Sequence, residues 1–235
     1  TARVPYGSKS KETIIRFSRQ IIRFLQSKGV KAIVIACNTA SALALETVQP
    51  EFDIPILGVV KAGAKEAAKV TKNGKIGVIA TESTIESQLY TKEIHSHKPN
   101  AQVLGKPCPL FVPLVEEGWL KDPVTVEVAN RYLEPLLESG IDTLIMGCTH
   151  YPLLRSTLRQ IMGEKVNLVN PAYETARELK SLLEREGLNN DGKQNYEGAM
   201  HEFYVSDAAE KFKQFANSVL PYDVGTIRQI NIEDY

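Results

Sequence analysis

The chain has 235 residues and shows no excess of either charge, because 28 basic and 28 acidic residues cancel. A neutral chain without a basic run lacks the electrostatic footprint of a nucleic-acid binder. No long apolar run is present either. The stretch 32–37 has six residues, against the roughly 18 that a membrane span needs. Neither nucleic acid nor membrane is therefore an expected partner. Cysteine is scarce: Cys37, Cys108 and Cys148 are the three, and no CxxC occurs. Three cysteines cannot all pair within one chain, which argues against a disulfide scaffold or zinc ribbon. No histidine or cysteine cluster has metal-ligand spacing, and no glycine-rich dinucleotide or Walker loop appears. No metal, nucleotide or redox cofactor is expected. No charged-then-apolar leader precedes the first segments, so a reducing cytoplasm is the expected location. Free cysteines there are commonly small core hydrophobes.

What is present is an ordinary soluble composition, 43% hydrophobic and 24% charged. It is too apolar and too neutral for disorder. The length suits one large domain or two small ones, with about 70–75% of the unfolded surface buried.

Apolar periodicity separates strands from helices. Residues 10–28 carry a helical stripe through Ile14, Phe17, Ile21 and Leu25, and Gly29 fits a helix stop. Residues 30–36 form a nearly continuous apolar run, as a buried parallel strand does. The same reasoning predicts helices over 39–48, 62–70, 82–95, 124–138, 152–162, 173–186 and 208–219. It predicts strands over 54–60, 75–80, 102–105, 142–146, 166–169, 202–205 and 227–232, with a polar loop at 189–194. Alternating strands and helices predict an α/β fold with mainly parallel sheets. In such sheets ligands sit at the carboxyl ends of strands.

Two segments repeat one pattern. Residues 27–39 and 138–150 each run from a helix end through a glycine and a strand to a cysteine. The spacing is eight residues in both, Gly29 to Cys37 and Gly140 to Cys148. With three cysteines in the chain, two matched hits point to an internal duplication, with a thiol at the same place in each of two lobes. A repeat this long is not a solenoid period. Residues 1–60 plus 170–235 form the expected first lobe, and 61–169 the second.

A thiol at a strand end, just ahead of a helix, meets free backbone N–H groups and the positive end of the helix dipole. Both are expected to lower its pKa from about 8.5. The same N–H groups bind carboxylates. Asn38, Thr39 and Ser41 follow Cys37; Thr149, His150 and Tyr151 follow Cys148, and Pro152 suits a first helical position. Two similar acid/base groups on opposite faces of one cleft suit racemisation, in which one takes a proton and the other returns one. A reversible Cys37–Cys148 redox pair and a non-catalytic dicarboxylate-binding module are the competing readings.

The segments Pro5-Tyr6-Gly7-Ser8, 36–42 (ACNTASA) and 147–153 (GCTHYPL) together resemble the glutamate racemases of the aspartate/glutamate racemase superfamily, over essentially the whole chain. His150 after Cys148-Thr149 favours glutamate over aspartate, although another acidic amino acid stays an alternative. The resemblance implies two pseudo-symmetric α/β lobes, each with a mainly parallel sheet flanked by helices, and an active site between them. It implies a cofactor-independent isomerase that interconverts L- and D-glutamate and supplies D-glutamate for bacterial peptidoglycan, and hence for the cell wall and cell shape. It further implies Cys37 and Cys148 as acid/bases, Cys37 acting on D-glutamate and Cys148 on L-glutamate. His150 and Glu116 would assist Cys148. Tyr6, Gly7, Asn38, Thr39 and Thr149 would bind substrate, with Thr81 and Thr84 of the same kind. Homodimers are common in this family.

Plainer roles compete for several of these residues. His150 could cap its helix, and Glu116 or Glu117 could be a solvated charge. Thr39 and Thr81 are good helix N-caps in any fold. Tyr6 could be ordinary packing. Cys108, between two prolines, reads as structural, and His95, His97 and His201 as surface or packing residues. One strand is expected ahead of Thr1. The second lobe opens with the strand at Ile76, well before Cys148, and the same offset from Cys37 runs off the start of the chain. In the resembling family that strand ends in an Asp-Ser-Gly turn with catalytic groups. A molecule truly beginning at Thr1 is expected to expose a strand edge and to have poor stability and little activity.

Overall fold

The computed structural model describes residues 1–190 and 201–235. The first elements are helix α1 (Lys11–Gln26), strand β1 (Ile33–Ile35), α2 (Asn38–Leu43), α3 (Leu45–Val48), β2 (Ile56–Gly58) and α4 (Val59–Val70). Then come β3 (Lys75–Ala80), α5 (Glu82–Glu86), α6 (Leu89–His97), β4 (Gln102–Pro107), α7 (Phe111–Glu116), α8 (Pro123–Glu138) and β5 (Thr143–Gly147). The rest are α9 (Arg155–Met162), β6 (Asn167–Val169), α10 (Pro171–Arg185), β7 (Phe203–Val205), α11 (Ala209–Val219) and β8 (Ile227–Gln229). Every strand pairing among the described residues is parallel, as the alternating pattern requires.

The largest sheet has the order β4-β3-β5-β6. Its central strands β3 and β5 are buried on both faces, which is why they read as almost continuous apolar runs. One face packs Ile79, Leu144 and Met146 against Phe111, Leu133 and Leu136 of α7 and α8. The other packs Ile76, Val78 and Ile145 against Val60, Ala64, Tyr90 and Ile94 of α4 and α6. Each such side chain contributes about 1.5–3 kcal/mol of burial, so this slab is the rigid support for whatever sits at its strand ends.

A third core lies under β1 and β2, where Ile14 and Ile22 of α1 meet Ile33, Ala44, Val48 and Ile56. Ser10 starts α1 by accepting a hydrogen bond from the Thr13 N–H at 3.3 Å, and Gly29 ends it with a φ of +68°. β7 and β8 form a separate pair. Phe24 of α1 stacks edge-on with Tyr204 of β7 at 4.9 Å.

The structure departs from the sequence expectations at a few points. The strands expected in the first lobe form two two-stranded sheets rather than one. The helix expected over 82–95 breaks at Gln88, whose φ of 55° is left-handed. Gln88 holds that turn by donating its side-chain amide to the Ile85 carbonyl at 3.0 Å. The helix expected from Pro152 opens with a 3-10 turn, Tyr151–Leu154, because the Tyr151 N–H reaches back to the Cys148 carbonyl. The helix over 39–48 is divided at Ala44 into α2 and α3. Of the polar loop expected at 189–194, residues 191–194 lie outside the described residues.

Candidate active site

The first thiol sits where β1 gives way to α2. Cys37 is extended, occupies the N-cap position, and its Sγ accepts a hydrogen bond from the Ala40 N–H at 3.5 Å. Ser41, one turn on, donates to the Ile35 carbonyl at 2.8 Å and accepts from the Val59 N–H at 3.1 Å. One buried hydroxyl therefore ties β1, α2 and the start of α4 together. Gly58 leaves room for this knot, since a Cβ there would stand 2.7 Å from Leu45 and 2.9 Å from the Ser41 oxygen.

The second thiol follows β5. Gly147 lets the chain pass so close to β3 that a Cβ would stand 2.8 Å from the Ile79 carbonyl oxygen. Next comes buried Cys148, whose Sγ is 3.7 Å from Nδ1 of His150. Nε2 of the same ring is 3.2 Å from Oε1 of Glu116, at the end of α7. The Thr149 hydroxyl is 3.4 Å from Nδ1. Sulfur, imidazole and carboxylate thus stand in a row, and His150, at the N-cap position of the turn that follows, spends no side-chain bond on capping it.

Both thiols line one cleft of about 360 Å³. Tyr6, Gly7, Asn38 and Thr39 line it beside Cys37, with Thr81 close by. Glu116, Thr149 and His150 line it beside Cys148. Of the expected site residues, Thr84 alone does not reach the cleft. An apolar trough formed by Ile21, Ile22, Leu25 and β1 continues from it.

The electrostatics reverse one expectation. Burial pushes the Cys148 thiol up to about 11, against hydrogen bonds from the His150 and Thr149 backbone and the Thr149 hydroxyl. Cys37 adds to the upward push. Burial likewise raises Cys37, against hydrogen bonds from the backbone of Ala40 and Thr39 and from the Thr39 hydroxyl. Helix ends were expected to lower both thiols. However, α2 has six residues and Cys148 precedes a 3-10 turn, so the aligned dipole at each sulfur is short and desolvation dominates.

Comparison with known proteins then decides the family. The sequence pattern of the Asp/Glu/hydantoin racemases matches residues 1–179. Similar curated proteins include glutamate racemases of Geobacter metallireducens, 45% identical, and Neisseria meningitidis serogroup A, 46% identical. Each match spans 99% of this chain and 85% of the relative. The chain belongs to the Asp/Glu/hydantoin racemase family. A solved glutamate racemase isoform from Bacillus anthracis is similar with a TM-score of 0.92 and 36% identity, covering 98% of this racemase-family chain and 85% of its own. The Francisella tularensis glutamate racemase, solved with D-glutamate, gives 0.91 and 36%, covering 100% and 86%.

Around this racemase-family cleft the remaining expected residues find their places. Thr39 is not an N-cap, because the Cys37 sulfur holds that position. Thr81 stands at the N-cap of α5 but makes no side-chain cap bond. Instead Thr39, Thr81 and Thr84 bond one another, Thr81 at 2.9 Å from each of the others and Thr39 to Thr84 at 3.2 Å. Tyr6 packs near Phe17, with ring centroids 6.1 Å apart, and also lines the cleft. Glu117 is exposed. Cys108 is fully buried, and Tyr151 donates to its carbonyl at 2.8 Å, which fits a structural role. His95 contacts the Ala101 carbonyl and His201 stacks on Tyr222. Sequence reading missed Ser83, whose hydroxyl donates to the Gly7 carbonyl at 2.7 Å and holds the Tyr6-Gly7 wall. The hydroxyl-rich run Thr81-Glu-Ser-Thr84 was the available signal. It also missed Tyr90.

Proposed function

We propose that this chain interconverts L- and D-glutamate without a cofactor, by two-base proton exchange at the α-carbon. A thiolate on one side breaks the Cα–H bond and keeps the proton. The electron pair stays on the α-carbon and its carboxylate. The neutral thiol on the other side then forms the new C–H bond and becomes the thiolate. Cys148 takes the proton from L-glutamate and Cys37 from D-glutamate, and the opposite partner returns one.

The observation that carries this reading is that Cys37 and Cys148, at matched strand ends, line the same cleft. Burial keeps both sulfurs protonated near neutrality, so a base must accept a proton before the first step. For Cys148 that base is His150, in reach at 3.7 Å and backed by Glu116. Glutamate carries two carboxylates, and the cleft supplies neutral donors for them: Tyr6, Asn38, Thr39, Thr81, Thr149 and the backbone at Gly7. Thr84 acts behind them through its hydroxyl bonds to Thr39 and Thr81. In this reading residues 1–60, which share a lobe with 170–235, supply the wall beside Cys37, and 61–169 supply the wall beside Cys148. The family resemblance extends the proposal to a cytoplasmic homodimer that supplies D-glutamate for peptidoglycan.

Circular dichroism of L- and D-glutamate solutions, with purified chain and no added cofactor, tests it. Optical rotation should decay to zero from either side. Cys37→Ser and Cys148→Ser should each lower turnover by at least about a hundredfold. Full turnover in either variant removes the two-base mechanism, and faster turnover of aspartate reassigns the substrate.

A further inference from the structure

Tyr90 lies on α6 and is buried at 3% exposure. Its hydroxyl donates to Oδ1 of Asn38 at 2.6 Å, across 52 residues of sequence. Asn38 is the residue after Cys37 and lines the cleft. On the other side, a Cβ at Gly147 would stand 3.2 Å from Cε2 of the Tyr90 ring. Gly147 is the residue before Cys148. One buried side chain thus bonds the neighbour of one thiol and lies close beside the neighbour of the other.

A carboxamide has one accepting end and one donating end. With Oδ1 held by Tyr90, the –NH₂ end is the one Asn38 can offer a ligand. Without that bond the amide can turn over and offer its oxygen, which repels a carboxylate. Burial raises Tyr90 far above its ordinary value, with Cys148 adding to the effect, so its hydroxyl remains a donor across the working pH range.

We infer that Tyr90 is a positioning residue: it fixes the donor polarity of Asn38 and the height of the Gly147–Cys148 turn, and so registers both thiol loops for an acidic substrate. This rests on the racemase reading above. The effect belongs in substrate affinity more than in the chemical step.

Tyr90→Phe keeps the ring and removes the hydroxyl. The full chain carrying it should show a glutamate KM raised about tenfold in both directions, with kcat changed less than about threefold. Asn38→Ala should raise KM similarly, and adding Tyr90→Phe to it should raise KM no further, because the hydroxyl acts through Asn38. Independent, multiplying effects overturn the inference, as does a fall in kcat and melting temperature with KM unchanged. Asn38→Asp offers a second route if Tyr90→Phe fails to fold. It keeps an acceptor for Tyr90 but turns an anion to the cleft, so KM should rise about a hundredfold or more, and an unchanged KM overturns the inference. Wild-type chain that binds glutamate by calorimetry but does not turn it over overturns the racemase reading alone. The same cycle measured as Kd then decides on Tyr90. Wild-type chain that does not bind glutamate overturns both.

Discussion

At the scale of single residues, the row from Cys148 through His150 to Glu116 makes a sharp claim. Glu116 sits 3.2 Å from Nε2 on the side of the ring away from the sulfur. In the proposed mechanism His150 takes a proton from Cys148, and that carboxylate is placed to balance the new charge. Glu116→Gln keeps the shape and removes the balance. We expect kcat to fall about tenfold, while the melting temperature stays within about 1 °C, because Glu116 is well exposed. L- and D-glutamate have equal free energy, so kcat/KM must fall by the same factor in both directions, which checks the assay internally. An unchanged rate makes Glu116 a surface charge. Cys148 was legible in the sequence as a strand-end thiol, but the assisting role of His150, and Glu116 34 positions before that histidine, came only from family resemblance. Tyr90 was not legible. A tyrosine at a buried helical position looks like packing until the fold brings Asn38 to its hydroxyl.

At the scale of elements, the cysteine turns depend on what joins strand ends to the next helix. Ser41→Ala leaves the buried Val59 N–H and Ile35 carbonyl without their shared partner. A buried donor left unsatisfied costs about 1–3 kcal/mol. The urea midpoint should fall by the corresponding amount, and the Cys37 turn should lose activity with it. An unchanged midpoint would mean that water replaces the hydroxyl. Most elements could be read from periodicity, because β3 and β5 are almost continuously apolar after Lys75 and Thr143 and α1 has a clear stripe. The breaks could not. Gln88 interrupts a helix without interrupting its hydrophobic pattern, and α7 is six residues around Pro113, too short for a period to emerge. The helix-dipole effect on the thiols was misjudged for the same reason. Sequence showed that something helical follows each cysteine, but not how short it is or how deeply the sulfur is buried.

At the scale of the whole molecule, these burials add up to a pH limit on the fold. Cys37, Cys108, Cys148, Tyr6, Tyr90 and Tyr151 are all raised, chiefly by burial. An unfolded chain releases thiol protons near about 8.5 and tyrosine protons near about 10. Below about 8.5 both states hold these protons, and the groups contribute their full share of stability. Above it the folded chain binds more protons than the unfolded one, so stability falls as pH rises. For Cys148 the loss runs until its folded value of about 11. The acid side works in the opposite sense. Burial pushes the Asp142 carboxyl up, but bonds from the Thr71 hydroxyl and the backbone of Asn73 and Lys72 outweigh it and hold the group down. Its contribution is present above the ordinary carboxylate range and is lost as pH falls through the lowered value. Melting temperature at fixed ionic strength should therefore stand highest between about pH 5 and 8 and decline steadily from about 8.5 to 11. A melting temperature flat to pH 11 would show that the thiols and phenols are not held protonated by the fold. The same burial that sets this limit also keeps Cys37 and Cys148 neutral at rest. Chemistry that needs one thiolate is thus favoured by the alkaline side, where the scaffold is weakest, and the proposed proton transfer to His150 would form that thiolate without leaving the stable range.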